Sequence, residues 1–342
     1  MSRGAVTAPL GGGTAPLGGE TPPLQQRDPA WARDFEAILK AYEQAGGKSN
    51  VLQTVRGASA VISGHQVLAV NEIAGVSIET EELESGVRAR ITVAPGTKVD
   101  YPVHLCFGML TAEGLQEIVS EFEIGEGAEV GFLAHCTFPN AVDLKHVMEA
   151  HVHVGRGATM RYSEVHYHGP HGGIQVLPVT HAQVDEGGWL ESEFSLVRGR
   201  VGRLAVQFEV DVADRGMVEL VTKAYGAAQD EIKVNEIVRL NGKGARGLTK
   251  TRVAVRDQAT SEIYTTAEGN APGAVGHMDC TEIVRGEAVA RNVPAVVVRN
   301  DQARVTHEAA IGSVSRKELE TLMARGLDED EAVDIIIRGM LR

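Results

Sequence analysis

Glycine-marked turns recur along this chain at a nearly constant spacing. Seven short segments carry a glycine at their third position, and the intervals between successive glycines are 31, 30, 30, 29, 28 and 29 residues. The segments are APGTKV (94–99), GEGAEV (125–130), GRGATM (155–160), DEGGWL (185–190), DRGMVE (214–219), GKGARG (242–247) and APGAVG (271–276). NDQARV (300–305) repeats the element once more, with Gln302 in the place of the glycine. A fixed period of this length is typical of a solenoid, in which each repeat forms one coil.

Strand-like segments rich in Val, Ile and Thr follow these turns, as in EVGFLAHCTF (129–138) and MVELVTKAYG (217–226). Stacked coils bury small aliphatic side chains in a narrow interior, which agrees with 39 glycines and an aromatic content of only 4%. We therefore predict a mainly β solenoid over residues 49–312. The alternative is a β-sandwich whose hairpins happen to be evenly spaced.

The N-terminal residues do not share this pattern. Residues 1–27 contain the near-duplicate APLGGGTAPLGGE, a composition that indicates a flexible tail. Residues 28–48 predict a helix that begins with Asp28 as its N-cap, continues to about Gln44 and stops at Gly46-Gly47.

The C-terminal residues, 313–342, predict two short helices. Ser315 and Glu318 have the spacing of a capping box, and Gly326 ends this first helix. Asp328 and Glu331 repeat the motif for a second helix with an apolar stripe. Such a pair could cap the open end of the solenoid or form a docking surface for a partner.

Composition excludes several classes of protein. The formal net charge of −13 argues against a nucleic-acid or anionic-membrane partner, because phosphate would be repelled. No apolar run approaches the roughly eighteen residues of a transmembrane helix, and no signal-peptide pattern is present. Three cysteines cannot form a disulfide framework, which favours a reducing, cytoplasmic setting. GxxxxGK[ST], GxSxG, HExxH and CxxC motifs are all missing.

Histidine and cysteine cluster in the strand-like segments. Cys280 lies seven residues after Gly273 and His307 lies five after Gln302, so both side chains should point to one sheet face of adjacent coils. We expect a diagonal pair with roughly 7 Å between Cβ atoms. Thiolate and imidazole are ligands of iron–sulfur clusters and of zinc. Glu308 and Asp279 fall on the opposite face unless a β-bulge intervenes.

Other histidines and cysteines allow two interpretations. His151 and His153, and likewise His166 and His168, lie two apart on one strand and could chelate a metal, or they could be solvated. Cys106 and Cys136 are most simply buried small hydrophobes.

Three C-terminal segments resemble the SufB/SufD family of iron–sulfur cluster assembly proteins. They are CTEIVRG (280–286), the run from 292 to 315, and LMARGLDEDEAVDIIIRGML (322–341). The resemblance implies a right-handed parallel β-helix that acts as a non-enzymatic scaffold, on which clusters are built before transfer to client apo-proteins. It also implies a SufC-like ABC-type ATPase bound through residues 315–342, which would supply the missing nucleotide site. A second copy or a SufB/SufD-type sister subunit would bind at the β-helix end.

Individual residues carry the resemblance further. Cys280 matches the cysteine of the family's CDxxxxG motif, and His307-Glu308 match its HE or HG motif. Where SufB has a second cysteine, this chain has Ala288 or Val289, so either Cys280 has taken over the role or the chain is a SufD-like structural subunit. Retention of Glu308 favours the SufB-like role.

The resemblance therefore implies a transient iron–sulfur cluster bound by Cys280, His307 and Glu308, with His277 and Asp279 close by. We expect the ATPase to contact the apolar positions of the C-terminal helices, Leu322, Leu327, Val333, Ile336, Ile337 and Met340. A mononuclear zinc or iron enzyme that uses the HVH and HYHxxH histidines is the remaining alternative.

Overall fold

The computed structural model describes residues 29–53 and 57–341, and these contain a β-solenoid of eight turns with short helices at either end. The strands, numbered along the chain, are β1 Ser59–Ser63, β2 Gln66–Asn71, β3 Val76–Glu82, β4 Gly86–Val93, β5 Val103–Gly108, β6 Glu113–Ile124, β7 Glu129–Phe138, β8 Asp143–Val154, β9 Thr159–His168, β10 Ile174–Val184, β11 Trp189–Arg198, β12 Arg203–Val212, β13 Met217–Gly226, β14 Glu231–Leu240, β15 Arg246–Asp257, β16 Thr260–Gly269, β17 Val275–Gly286, β18 Val289–Val298 and β19 Arg304–Gly312.

From β4 onward, successive strands alternate between two sheets. The first sheet has the order β19-β17-β15-β13-β11-β9-β7-β5-β1-β2, and the second has the order β18-β16-β14-β12-β10-β8-β6-β4-β3. From β4 onward each strand pairs in parallel with the strand two positions ahead, one coil later. Only the pairs β1/β2 and β3/β4 are antiparallel in the described sheets. Hairpins of a β-sandwich would give antiparallel pairs throughout, so the solenoid prediction is confirmed.

Left-handed backbone at one corner of each coil explains the glycine period. Six of the seven predicted turn glycines have φ between +61° and +71°, a region that glycine enters without steric cost. The exception is the turn at 214–219, where Arg215 rather than Gly216 takes the left-handed position with φ +55°. The Arg215 N–H donates to the Lys243 carbonyl of the next coil at 2.9 Å, as the Gly187 N–H does to Asp214. The repeat counted on Gly216 was therefore wrong by one residue.

The N-terminal helix lies on the outside of the first sheet. It spans Pro29–Gln44 (α1) and is followed by a 3₁₀ turn, Ser49–Gln53. Its Ile38 and Tyr42 are fully buried and pack against Val61 of β1 and Cys106 of β5. The predicted tail, residues 1–27, and the predicted N-cap Asp28 lie outside the described residues.

Two C-terminal helices follow, α2 (Arg316–Met323) and α3 (Glu329–Met340), and α3 packs on the outside of the first sheet. The Ser315 side chain accepts the Glu318 N–H, and Asp328 and Glu331 form a reciprocal capping box, as predicted. None of the helices in residues 29–53 and 57–341 is long and apolar enough to cross a membrane.

The solenoid interior changes in character along its length. In the coils from β5 to β9 it holds rings as well as aliphatic side chains, with Phe122, Phe132 and Tyr162 in edge-to-face and tilted contacts at centroid distances of 5.2–6.4 Å. Part of the small aromatic content therefore lies inside the solenoid. Toward the last coils the interior contains buried Thr, Ser, Glu and Cys side chains.

Candidate functional site

The C-terminal end of the solenoid is open. Within residues 29–53 and 57–341, β18 and β19 are the last strands of their sheets and each pairs on one side only, so no further coil of this part of the chain stacks on the inner face of the last coil. Val296, Val298 and Ile311 on these strands are 40–49% exposed. α3 does not cover this end, because it is packed against the outer face of the first sheet.

Cys280 and His307 lie on the same inner face at this end. In the continuous register of β17 and β19, Met278 lies opposite His307 and Cys280 lies opposite Ala309. His307 is thus the diagonal neighbour of Cys280 on the same inner face, in the relation that their repeat offsets predicted. Cys280 is buried at 1% exposure, whereas His307 is exposed because nothing stacks above it.

Buried hydroxyls and carboxyls continue the site into the solenoid. The Thr265 hydroxyl lies 3.7 Å from the Cys280 sulfur. Thr251, directly beneath Cys280 on β15, donates at 3.0 Å to Glu236, which also accepts from Thr222 at 2.6 Å. Burial raises the pKa of the Cys280 thiol and of the Glu236 carboxyl, so both favour their protonated, neutral forms.

Glu282 is the carboxylate on the Cys280 face, and the sequence analysis missed it. It lies two residues after Cys280, is 1% exposed and accepts a hydrogen bond from Ser261, while its Oε1 has no partner. Burial raises the pKa of Glu282. Asn292 approaches both Cys280 and Glu282, but its amide nitrogen and oxygen make no hydrogen bond of ordinary geometry. Unpaired buried polar atoms are uncommon in proteins, and an ordered water, an ion or a ligand usually binds them.

Glu308, Asp279 and His277 lie on the outer face instead. Glu308 is opposite Asp279 in the register, and no bulge interrupts it between Val275 and Ile283. Asp279 is held in an ion pair by Arg252, and His277 Nδ1 lies 2.8 Å from the Thr306 hydroxyl. Strand alternation therefore separates the three predicted ligands from Cys280, and the site contains Cys280 and His307 with Glu282.

The HVH histidines are engaged on the outer face of the second sheet. His151 pairs with Glu149 at 3.1 Å, and His153 lies 3.0 Å from both Glu123 and Asp185. Burial lowers the pKa of His153, but the two carboxylates raise this pKa by a larger amount, so the net shift is upward. The two imidazoles bind separate partners rather than one site.

The HYHxxH histidines divide between two environments. His166 and His168 are buried inside the solenoid, whereas His171 is exposed in the following turn. Cys136 is buried as predicted, but it is not surrounded by apolar groups alone: Cys136, Glu164 and His166 offer ligand atoms within 4.8 Å of one another. All three cysteines are free thiols.

Comparison with known proteins decides the family. Residues 112–340, which include the open end and the C-terminal helices, match the family described as SUF system FeS cluster assembly, SufBD core domain. This chain belongs to the SufBD family. An iron-sulfur cluster assembly SufBD family protein of Methanocaldococcus jannaschii is 39% identical over 305 residues, covering 89% of this chain and 96% of the relative. Another, from Pyrococcus horikoshii, is 34% identical over 309 residues, covering 90% and 94%.

The C-terminal helices of this SufBD protein bury part of the predicted docking stripe. Val333 and Ile337 are 2% and 4% exposed and pack on the solenoid, beside Ala254, so they do not face outward. Leu322, Ile336 and Met340 instead line a groove of about 970 Å³ between the helices and the ends of β17 and β19. Leu327 is half-buried in the link between the helices. Glu282 lines the same groove.

Part of the acidic charge of α3 is used within the chain. Arg285 lies 2.8 Å from Asp330 and 3.5 Å from Glu329, and Arg256 lies 3.8 Å from Asp334. These ion pairs join the helix to the outer face of the solenoid, next to the apolar contact of Val333.

Proposed function

We propose that this SufBD protein is a scaffold on which an iron–sulfur cluster is assembled and from which it passes to client apo-proteins. The observation that carries the proposal is the diagonal placement of Cys280 on β17 and His307 on β19, on the same inner face at the uncovered end of the solenoid. A thiolate forms the strong bond to iron, and an imidazole forms a weaker one. Cargo held by so few protein ligands can leave without unfolding the site.

Glu282 and Asn292 complete the proposed site. In the free protein both Cys280 and Glu282 favour their protonated forms, since burial raises the pKa of each. Iron binding therefore displaces the Cys280 proton, and the unpaired Glu282 and Asn292 atoms gain a partner. Glu308 shares the edge strand with His307, but it can reach the cargo only if β19 is rearranged.

The proposed partner is a SufC-like ABC-type ATPase that docks in the groove lined by Leu322, Ile336 and Met340. The chain has no phosphate-binding loop of its own, so nucleotide chemistry belongs to another chain. The groove connects these helix positions with Glu282, so movement of a docked partner would reach the cargo site directly. The three free thiols fit a reducing, cytoplasmic compartment.

A second copy, or a SufB/SufD-type sister subunit, is the proposed partner of the last coil. The unpaired edges of β18 and β19 offer backbone hydrogen-bonding groups, and the exposed Val298 and Ile311 offer apolar area. Contact there would cover His307 and shield the cargo from water.

Anaerobic reconstitution tests the scaffold role. The full chain is incubated with ferrous iron, a thiol reductant and sulfide, desalted, and assayed for protein-bound iron and acid-labile sulfide. We expect Cys280→Ser to lose most of both, while Cys106→Ser, a buried cysteine beneath α1, keeps the wild-type content. Equal iron and sulfide content in wild type and Cys280→Ser would refute the cluster site and favour a SufD-like structural subunit. The absence of a second cysteine at Ala288 or Val289 also favours that alternative.

A further inference from the structure

We propose that the solenoid interior holds a second, separate site, in which Cys136, Glu164, His166 and His146 bind a single divalent transition-metal ion such as Zn²⁺ or Fe²⁺. This site lies inside the coils of β7, β8 and β9, whereas the proposed cluster site lies on β17 and β19. It is independent of the proposed function.

Strand register brings three of the ligands together. Cys136 on β7 lies directly opposite His166 on β9, and Glu164 is two residues before His166 on the same inner face. One ligand atom of each lies within 4.8 Å of the other two. The exposures are 0% for Cys136, 5% for Glu164 and 1% for His166. Modest side-chain rotations would give all three atoms metal bonds of about 2.0–2.3 Å.

Hydrogen bonds orient the imidazoles of His166 and His168. His168 Nδ1 lies 3.2 Å from the Arg200 backbone carbonyl, which can only accept, so this nitrogen donates. In the neutral form of that ring Nε2 is an acceptor, and it lies 3.3 Å from His166 Nδ1.

The other nitrogen of His166, Nε2, lies 2.6 Å from the Glu164 carboxylate. A proton shared between these two atoms can be displaced by a metal ion that binds both of them. A metal-bound histidine characteristically donates its other ring N–H to an acceptor, and His166 has this arrangement toward His168. The adjacent thiol of Cys136 favours a metal ion over a shared proton, because a thiolate is a soft metal ligand and takes no part in a hydrogen bond between His166 and Glu164.

His146 supplies the independent observation. This histidine on β8 of the opposite sheet is fully buried, and neither of its ring nitrogens has a hydrogen-bond partner. Its ring centroid lies 5.9 Å from that of His166. An unpaired imidazole buried beside His166 adds a fourth possible ligand to the thiol, the carboxylate and the imidazole that the register brings together, a set suited to tetrahedral coordination.

Cobalt substitution tests the site with a spectroscopic readout. The full chain is stripped of metal with a chelator and titrated with Co²⁺ under anaerobic conditions. We expect one Co²⁺ per chain, with thiolate-to-cobalt charge-transfer absorption, in wild type, in Cys106→Ser and in Cys280→Ser. In Cys136→Ser the charge-transfer band should be absent. Zn²⁺ should displace Co²⁺ and raise the thermal midpoint of wild type but not of Cys136→Ser.

A second variant keeps the test valid if Cys136→Ser fails to fold. His168→Asn leaves all four proposed ligands in place but alters the group that orients His166, so we expect the band to remain and the Co²⁺ affinity to fall by about 10–100-fold. The proposal is overturned if wild type binds no Co²⁺, or if the band depends on Cys280 rather than on Cys136. The metal content of the anaerobically purified protein is also measured by mass spectrometry, in wild type and in Cys136→Ser. Metal that depends on Cys136 and is accompanied by equimolar sulfide would overturn the proposal, whereas Zn²⁺ or Fe²⁺ without sulfide supports it.

Discussion

Asp230 offers a quantitative test of how the coils are fastened at their corners. This carboxylate lies at the turn between β13 and β14, is fully buried, and accepts hydrogen bonds from Arg200 Nε at 2.9–3.0 Å and Nη2 at 2.7 Å. It also accepts the backbone N–H groups of Gly202 at 3.1 Å and Ala227 at 3.0 Å. One side chain therefore joins two successive coils beside the backbone carbonyl that orients His168.

Replacement of Asp230 by alanine leaves four N–H donors without their acceptor. Loss of one partner from a buried ion pair costs about 3–5 kcal/mol of the free energy of unfolding. The side chain of Arg200 is 26% exposed and can turn toward water, which places our expectation at the lower end, about 3 kcal/mol. Asp230→Asn should also be destabilising, because its NH₂ group would face donors.

The matched control is Glu320→Ala, which removes an exposed ion pair with Arg316 on α2. Its effect should stay within about 0.5 kcal/mol. Urea unfolding followed by circular dichroism measures both variants, and hydrogen exchange locates the loss in the coil of β12–β14. The loss of unfolding free energy in Asp230→Ala should persist in high salt, because the ion pair is buried and salt screens it little. A loss below about 1 kcal/mol, or one equal to that of the control, would refute the reasoning.

Three further predictions concern the packing of the solenoid. Burial lowers the pKa of His135 to about 4, below its value in the unfolded chain, so about 3 kcal/mol of the free energy of unfolding is present above pH 6.5 and is lost as the pH falls toward 4. The free energy of unfolding, measured between pH 7 and 4, should therefore fall less steeply in His135→Gln than in wild type. Gly173→Ala would place a Cβ 1.4 Å from a backbone carbonyl of the preceding coil and should lower the urea midpoint, whereas Gly131→Ala, with open space around it, should not. Ile337→Ala should cost about 2–4 kcal/mol and increase proteolysis of α3, whereas Ile335→Ala, at a 46% exposed position, should change neither.

The solenoid could be predicted because its repeat depends on a backbone conformation that sequence records directly. A left-handed corner is most easily made by glycine, so Gly96, Gly127 and their successors mark each coil. The prediction failed at Arg215, because a non-glycine residue can occupy the same conformation at a modest cost and leaves no mark in the sequence.

Repeat offsets also predicted which side chains share a face. Cys280 and His307 have matching parity and lie together, whereas Glu308 has the opposite parity and lies outside. Cys136 and His166 stand nine residues after Gly127 and Gly157, so the same arithmetic could have found that pair.

Contacts between the two sheets could not be predicted in this way. A strand's own pattern does not determine which residue faces it from the other sheet, and so the positions of His146 and Thr265 became apparent only in three dimensions. The apolar stripe of α3 posed a similar problem. Its spacing predicts a covered face but not what covers it, and the outer face of the solenoid covers Val333 and Ile337.

The proposed function depends most on Cys280 and His307, on adjacent coils, both being ligands of the cluster. Pulsed electron paramagnetic resonance of the reduced, reconstituted protein measures it most directly, because a coordinated imidazole gives the cluster a nitrogen hyperfine coupling. We predict this coupling in wild type and in His277→Ala, whose imidazole lies on the outer face, and its loss in His307→Ala. A coupling that persists unchanged in His307→Ala would contradict the account.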